Sequence, residues 1–153
     1  MPPASRIRRA AGGGVRLELD ADERALLAGI GEELRALLDE QPDDPSLRRL
    51  YPPAHEDEAL EREFRELTRS QLTTGRERAI ETLERTADNE LLSAEEADAW
   101  LRALNDLRLV LGTRLDVTED YDWDALDASA PRAPELALYA YLSWLQEQLV
   151  EAI

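Results

Sequence analysis

The stretch from Ser93 to Gly112, SAEEADAWLRALNDLRLVLG, contains a complete signal for one amphipathic helix. Ser93 and Glu96 have the spacing of a capping box, in which each side chain bonds the backbone N–H of the other residue. Gly112 is the expected C′ residue, since glycine readily adopts the left-handed backbone that ends many helices. Apolar residues between these ends recur at helical spacing and predict one core-facing stripe: Ala97, Trp100, Leu101, Leu104, Leu107 and Leu111.

The segment toward the N-terminus predicts a hairpin followed by another helix. Residues 6–19 are predicted to form two short strands on either side of three glycines, Gly12–Gly14, which permit a tight turn. The second strand, VRLEL, alternates apolar and polar side chains. Asp20 and Glu23 form a second capping box, and the helix that they begin is expected to stop near Gln41, before a proline.

The remaining segments predict further helices. Residues 44–53, DPSLRRLYPP, suit one or two helical turns, and the helical pattern resumes at Glu56. We expect a kink or break near Gly75, because the apolar stripe changes face there. A last helix is predicted from about Pro134 to Ile153. The predicted fold is mainly α: a bundle of about five helices with a short N-terminal β-hairpin, in which residues 1–5 are flexible and residues 6–153 form a single helical domain.

Composition excludes several kinds of chemistry. The 153 residues include no cysteine and no lysine, so thiolate chemistry, disulfides, Schiff bases and phosphate-binding loops are excluded. The net charge of −16 disfavours a phosphate backbone as partner. The N-terminus lacks the apolar region of a secretory signal, and no apolar run is long enough to span a membrane. We therefore expect a cytoplasmic protein without a cofactor.

Two stretches are candidates for cation binding. His55, the only histidine, precedes the acidic run 56–58, so a carboxylate and His55 metal-dependent hydrolytic enzyme is an alternative function. The same acidic residues favour the positive N-terminus of a helix, and we expect a helix start there and no metal. Residues 120–131, DYDWDALDASAP, resemble a calcium loop but have Ala125 and Pro131 where an EF-hand requires glycine and glutamate.

The arginines of the predicted hairpin suggest another alternative, a nucleic-acid binder. They are Arg6, Arg8, Arg9 and Arg16. In a chain this acidic, we expect these side chains to pair with neighbouring carboxylates instead, so nucleic acid is not the expected partner.

Five residues are candidates for partner binding. Arg48, Arg49 and Tyr51 offer two guanidinium groups beside an aromatic ring, a composition typical of binding hot spots. The alternative role for both arginines is an ion pair with nearby acids. Tyr139 and Trp144 belong to a predicted helix that is apolar around most of its circumference. Its second face is expected either to be buried in the centre of the bundle or to contact a partner or a second copy in a homodimer.

Three stretches, LRRLYPPAHEDEALEREFRELT, ALNDLRLVLGTRL and LYAYLSWLQEQLV, resemble the actinobacterial oxidative-stress regulator family, long classed as a domain of unknown function. The resemblance covers nearly the whole chain. It implies a small cytoplasmic regulator that joins the transcription machinery, through a sigma factor, under oxidative stress. It also implies sensing by a cysteine pair, which this sequence lacks. We therefore expect a non-enzymatic regulatory protein that acts by protein–protein binding.

Overall fold

The computed structural model describes residues 5–51, 58–117 and 132–153. These ranges contain four α-helices: α1 (Ala21–Glu40), α2 (Glu58–Thr86), α3 (Ala94–Arg114) and α4 (Ala133–Ala152). They also contain three short strands and a 3₁₀ turn: β1 (Ile7–Arg9), β2 (Val15–Leu17), β3 (Leu91–Leu92) and Pro45–Leu47. The mainly α prediction is confirmed, whereas the number of helices in the described part of the chain is four and not about five.

Both predicted capping boxes are present. Asp20 accepts a 2.8 Å hydrogen bond from the Glu23 amide, and the Glu23 carboxylate accepts one of 3.2 Å from the Asp20 amide. Ser93 and Glu96 make the equivalent bonds at 3.1 and 2.9 Å. Each box satisfies two backbone N–H groups that would otherwise lack partners, so the starts of α1 and α3 are determined locally.

Of the predicted kink or break at Gly75, the break is absent, because α2 continues as one helix from Glu58 to Thr86. Gly75 is exposed, and a side chain at this position would meet nothing. Glycine inside a helix costs only about 1 kcal/mol, which packing of α2 against both α1 and α3 offsets. The apolar stripe that changes face near Gly75 therefore does not mark the end of a helix.

The predicted role of Gly112 is also wrong, since α3 continues to Arg114. The residue in the left-handed region is Asp116, with φ of 54°. The amide of Val117 donates to the Gly112 carbonyl at 2.9 Å, and the amide of Asp116 donates to the Thr113 carbonyl at 3.3 Å. These two bonds form a Schellman motif, which satisfies the last carbonyl groups of the helix.

The sheet has one strand more than the predicted hairpin. β1 and β2 pair antiparallel with Ile7 opposite Leu17, and Gly12 and Gly13 have φ values of 92° and 98° in the turn, as predicted. β3 then pairs antiparallel with β2, giving the order β1-β2-β3. A Cβ at Gly14 would lie 2.1 Å from the Leu92 carbonyl oxygen, so only glycine permits this close approach.

The core lies between the helices and continues under the sheet. Trp100 is fully buried at its centre, and its indole N–H donates a 2.7 Å hydrogen bond to the hydroxyl of Thr86. The other fully buried side chains include Leu27, Ile80, Leu83, Leu104, Leu145 and Leu149. In the described ranges, no helix combines the length and apolar character needed to cross a membrane.

Candidate partner-binding site

Arg49 and Tyr139, two of the five predicted binding residues, meet at Gly112. A Cβ on Gly112 would lie 2.9 Å from the Tyr139 ring and 3.3 Å from a guanidinium nitrogen of Arg49. The Arg49 guanidinium also donates a 3.2 Å hydrogen bond to the carbonyl of Val117. Tyr139 packs on a small cluster of buried residues, Leu115, Val117 and Leu136. Both side chains are half-buried and hold the end of α3 against its neighbours.

Arg48 and Tyr51 have different surroundings. Arg48 is exposed at the end of the 3₁₀ turn, and its guanidinium has no bonding partner among the described residues. The half-buried Tyr51 shares a 2.7 Å hydrogen bond with the hydroxyl of Thr73. The guanidinium groups of Arg69 and Arg76 lie 4.7 and 5.5 Å from the centre of its ring. Tyr51 therefore attaches the turn to α2 through cation–π contacts. Since only Arg48 of the three predicted residues is exposed, Arg48, Arg49 and Tyr51 do not form one exposed patch.

Asp43 and Asp44, two of the nearby acids expected as partners of Arg48 and Arg49, are engaged elsewhere. The side chains of the acidic run 56–58, also expected as partners, lie outside the described ones. Asp43 pairs with Arg69 at 3.5 Å. Hydrogen bonds from the hydroxyl and the amide of Ser46 lower the pKa of the Asp44 carboxyl, and the charge of Arg114 lowers it further. Neither acid forms an ion pair with Arg48 or Arg49 in the ranges that the structure describes.

Trp144 lies on α4, beside Tyr141, with the ring centres 6.0 Å apart. The Tyr141 hydroxyl donates a 2.8 Å hydrogen bond to Glu23, and burial is the main cause that raises the pKa of this phenol. α4 packs against α3 and β1, and its opposite face leaves Ala140 and Val150 exposed. The helix is therefore peripheral, while Tyr139 and Trp144, the residues predicted for its second face, are half-buried against the core.

An apolar groove between α1, α3 and α4 was not predicted from the sequence. Its volume is about 340 Å³, within the range of sites that bind small ligands or a few side chains. Its lining is mostly aliphatic: Ile30, Leu34, Ala36, Leu37, Leu107, Val110, Leu111, Leu138 and Leu142. Glu33, Glu40, Gln41 and Arg114 complete it, and we call the whole the α1–α3–α4 groove.

The groove adjoins the contact between Arg49 and Tyr139. Leu111 lines the groove and precedes Gly112, while Leu138 lines it and precedes Tyr139. Two residues identified from the sequence thus support the wall of a groove that the sequence did not reveal. The available signal in the sequence was the apolar stripe of the helix that begins at Asp20, whose spacing predicts core positions: Leu27, Ile30, Leu34, Leu37 and Leu38. In the structure, Ile30 and Leu37 on this stripe are only half-buried.

The hairpin arginines are largely engaged within the molecule. Arg6 pairs with Glu23 at 3.5 Å, and Arg8 pairs with Glu18 at 3.2 Å. Arg9 donates to the backbone oxygens of Ala152 and Ile153, at the end of α4, at 3.4 and 2.9 Å. Arg16 lies opposite Arg8 on the exposed face. The expected pairing with carboxylates is confirmed for Arg6 and Arg8.

The candidate cation sites lie mostly outside the described residues. His55 and the acidic loop 120–131 both lie outside the described ranges, as do residues 1–4 of the predicted flexible N-terminus. Among the residues that the structure describes, no three acidic, histidine or cysteine side chains form a group that could hold a metal ion.

Comparison with known proteins identifies the family. A model described as "Domain of unknown function (DUF2017)" matches residues 4–153. The putative oxidative stress regulator AosR of Mycobacterium leprae is 31% identical over 150 residues, covering 86% of this chain and 67% of that protein. The oxidative stress regulators AosR of Mycobacterium bovis and Mycobacterium tuberculosis are each 30% identical over 129 residues, covering 72% of this chain and 59% of theirs. No solved structure matches the chain significantly.

The chain thus spans about two thirds of the first relative and less of the others. These relatives are named as regulators, and they agree with the resemblance expected from the sequence. The chain is thus similar to mycobacterial proteins named oxidative stress regulators, and because the family model covers nearly its whole length, this protein belongs to the DUF2017 family.

Proposed function

We propose that this protein is a non-enzymatic, cytoplasmic regulator of a stress response that acts by binding another protein, with a sigma factor as the expected class of partner. The names of the mycobacterial relatives support the regulatory part of this proposal. The α1–α3–α4 groove supports the binding part, since a cleft lined mostly by aliphatic side chains with a few polar groups is a typical binding site.

The groove is the observation on which the proposal rests. Leu34 and Leu142 form its buried floor, whereas Ile30, Leu37 and Leu138 are half-buried around it. A partner that covers these three side chains gains hydrophobic free energy of about 25 cal/mol for each Å² of apolar surface removed from water. An apolar site without convergent catalytic groups suits binding better than catalysis.

The absence of cysteine restricts how such a regulator is controlled. No disulfide can form within this chain, so oxidation cannot change its shape by that route. We therefore propose that this chain binds the partner protein. The oxidant is sensed by that partner, or it changes the amount of this chain that the cell synthesises.

A binding titration tests the proposal. The purified chain is titrated by calorimetry against each sigma factor of the same genome, and one of them is expected to bind with a Kd in about the micromolar range. Leu138→Arg places a charge in the groove and should weaken this binding at least about 10-fold. Leu72→Arg is the matched control, because Leu72 is 44% exposed on α2 and should accept arginine without loss of binding.

Circular dichroism first establishes that both variants are folded. If no sigma factor binds, the proposed partner class is wrong. If binding occurs but Leu138→Arg and Leu72→Arg affect it equally, the groove is not the site.

A further inference from the structure

We infer that the α1–α3–α4 groove receives an amphipathic helix of the partner, about three turns long, with a row of large aliphatic side chains and basic residues on the flank that faces α1. This inference rests on the proposed function and adds to it the chemistry of the recognised segment.

The length of the groove suits a short helix. Its α1 wall extends from Ile30 to Gln41, which at 1.5 Å per residue corresponds to about 16 Å. A partner helix of the same length has about eleven residues, or three turns. The groove volume of about 340 Å³ equals that of about eleven water molecules at 30 Å³ each, enough for a few aliphatic side chains. Helix-in-groove recognition places such side chains at positions i, i+3 or i+4, and i+7.

The charge along the α1 rim indicates basic residues in the partner. Glu33 and Glu40 both line the groove and stand seven residues apart, which is two turns or about 10.5 Å. Both are exposed, and neither forms an ion pair with another described residue. The last turn of α1 contains no basic residue, so the negative end of the helix dipole adds to these charges. Two lysine or arginine residues two turns apart in the partner would complement this rim.

The charge of the opposite rim determines which flank of the inferred helix faces α3. Arg114 lies on the α3 wall and is exposed. A partner helix with basic residues on one flank and an acidic or neutral residue on the other would match both rims. Such a charge pattern fixes the register of the bound helix more than it adds affinity.

A second copy of this chain is a poorer occupant. Each copy has a net charge of −16, so two copies repel one another. The exposed face of α4 includes Ala137, Ala140 and Glu147, and this helix offers no basic residue to Glu33 or Glu40. The unpaired acids therefore favour a basic partner over self-association.

The test uses a stapled helical peptide labelled with fluorescein. It has leucines at positions i, i+4 and i+7, two lysines that are two turns apart on one flank, and alanine or glutamine elsewhere. A second peptide has glutamate in place of both lysines. Fluorescence anisotropy at about 0.15 M salt, where the Debye length is about 8 Å, limits long-range attraction. The full chain is expected to bind the lysine peptide at least about 10-fold more tightly than the glutamate peptide.

Two double variants separate the groove from the general charge of the protein. Glu33→Arg with Glu40→Arg reverses the rim, and we expect it to reverse the preference between the two peptides. Glu32→Arg with Asp39→Arg makes the same change of charge on α1, at exposed positions outside the groove lining. This control should weaken lysine-peptide binding less than about 3-fold.

The possible failures are distinguishable. Equal effects of the two double variants would show general charge attraction and would overturn the inference. So would loss of a dimer, seen by sedimentation, in Leu138→Arg, because the groove would then hold a second copy. If a sigma factor binds in a Leu138-dependent manner while the lysine peptide does not bind, the inference fails and the proposed function stands. Absence of both kinds of binding contradicts both.

Discussion

Arg76 on α2 and Asp106 on α3 form an ion pair in which the acidic partner is only 3% exposed. The same guanidinium donates a 2.8 Å hydrogen bond to the carbonyl of Leu50, so one arginine joins α2, α3 and the segment after the 3₁₀ turn. Burial raises the pKa of the Asp106 carboxyl above its ordinary value, while the charge of Arg76 opposes this increase. The pair positions the helices but stabilises them only while both charges are present.

Removal of Arg76 should therefore destabilise the fold strongly. Arg76→Leu leaves the Asp106 carboxylate buried without a partner, and we expect a loss of about 2 to 3 kcal/mol at neutral pH. This loss of stability is smaller than that expected for a fully buried pair, because the Arg76 side chain is 25% exposed and solvent weakens its interaction. Urea denaturation measures the loss, and Arg76→Leu with Asp106→Leu should recover part of it. A double variant no more stable than Arg76→Leu would contradict this account.

The effect of Arg76→Leu should depend on pH. A raised carboxyl pKa means that the folded state binds a proton more readily than the unfolded state. Between the unfolded and folded pKa values, stability therefore falls as pH rises. Removal of the Arg76 charge raises the pKa of Asp106 further, so Asp106 becomes protonated at a higher pH in the variant than in wild type. The difference in free energy of unfolding between wild type and variant should therefore be smaller at pH 5 than at pH 7.5. Arg76→Leu with Asp106→Asn should remove the trend, and a deficit that is constant with pH would argue against a buried carboxylate.

Gly112 and Tyr139 provide a test of close packing. Glycine to alanine inside a helix gains up to about 1 kcal/mol, but a Cβ at Gly112 would lie 2.9 Å from the Tyr139 ring. We expect Gly112→Ala to lower stability by about 1 kcal/mol. In a protein that also has Tyr139→Ala, the same Gly112→Ala substitution should raise stability. Gly29→Ala is the control, since a side chain there meets nothing and should stabilise α1. Thermal denaturation of the five proteins gives the cycle, and an unchanged sign would refute the contact.

Trp100 and Thr86 provide a test of a buried hydrogen bond. Thr86→Val keeps the side-chain shape but leaves the indole N–H of the fully buried Trp100 without its acceptor. The expected loss is about 1 to 3 kcal/mol. The hydroxyl of Thr82 bonds only to a backbone carbonyl of its own helix at an exposed site, so Thr82→Val should change stability by less than about 0.5 kcal/mol. Chemical denaturation compares the two, and similar losses would contradict the assigned role of Thr86.

Gln148 is expected to anchor the hairpin to α4. Its side-chain oxygen accepts hydrogen bonds from the amides of Arg6 and Ile7 at 2.5 and 3.3 Å and from the hydroxyl of Ser5 at 3.2 Å. Gln148→Leu removes this acceptor, so the amides of Arg6 and Ile7 should exchange with solvent about 10-fold faster or more. Exchange in α3 should be unchanged. Faster exchange throughout the chain would instead indicate general destabilisation.

The sequence predicts the starts of α1 and α3 because each depends on residues three positions apart, such as Asp20 and Glu23. β3 has only two residues, too few for a period, and it pairs through the space left by Gly14. The interpretation of Gly112 failed for a related reason. Gly112 is needed because Tyr139, from a distant part of the chain, packs closely against it. From the sequence alone, a glycine required for close packing near the end of a helix cannot be distinguished from a glycine that ends the helix.

The site was less predictable than the fold. Arg49 and Tyr139 were identified by residue type, but no sequence pattern indicates that they lie together. The stripe of α1 that includes Ile30 and Leu37 predicts burial, yet whether neighbouring helices cover it completely depends on their packing angles and not on the stripe. A partly covered stripe therefore becomes visible only in the structure.

Hydrogen exchange of the partner-bound chain tests the central claim most directly. The native partner is isolated from oxidant-treated cells, identified and purified, and exchange is compared with and without it. We predict protection on binding within residues 30–41, 107–114 and 138–142, which line the α1–α3–α4 groove. Protection confined to the hairpin at residues 6–17, with these three segments unchanged, would contradict the proposal that the groove is the binding surface.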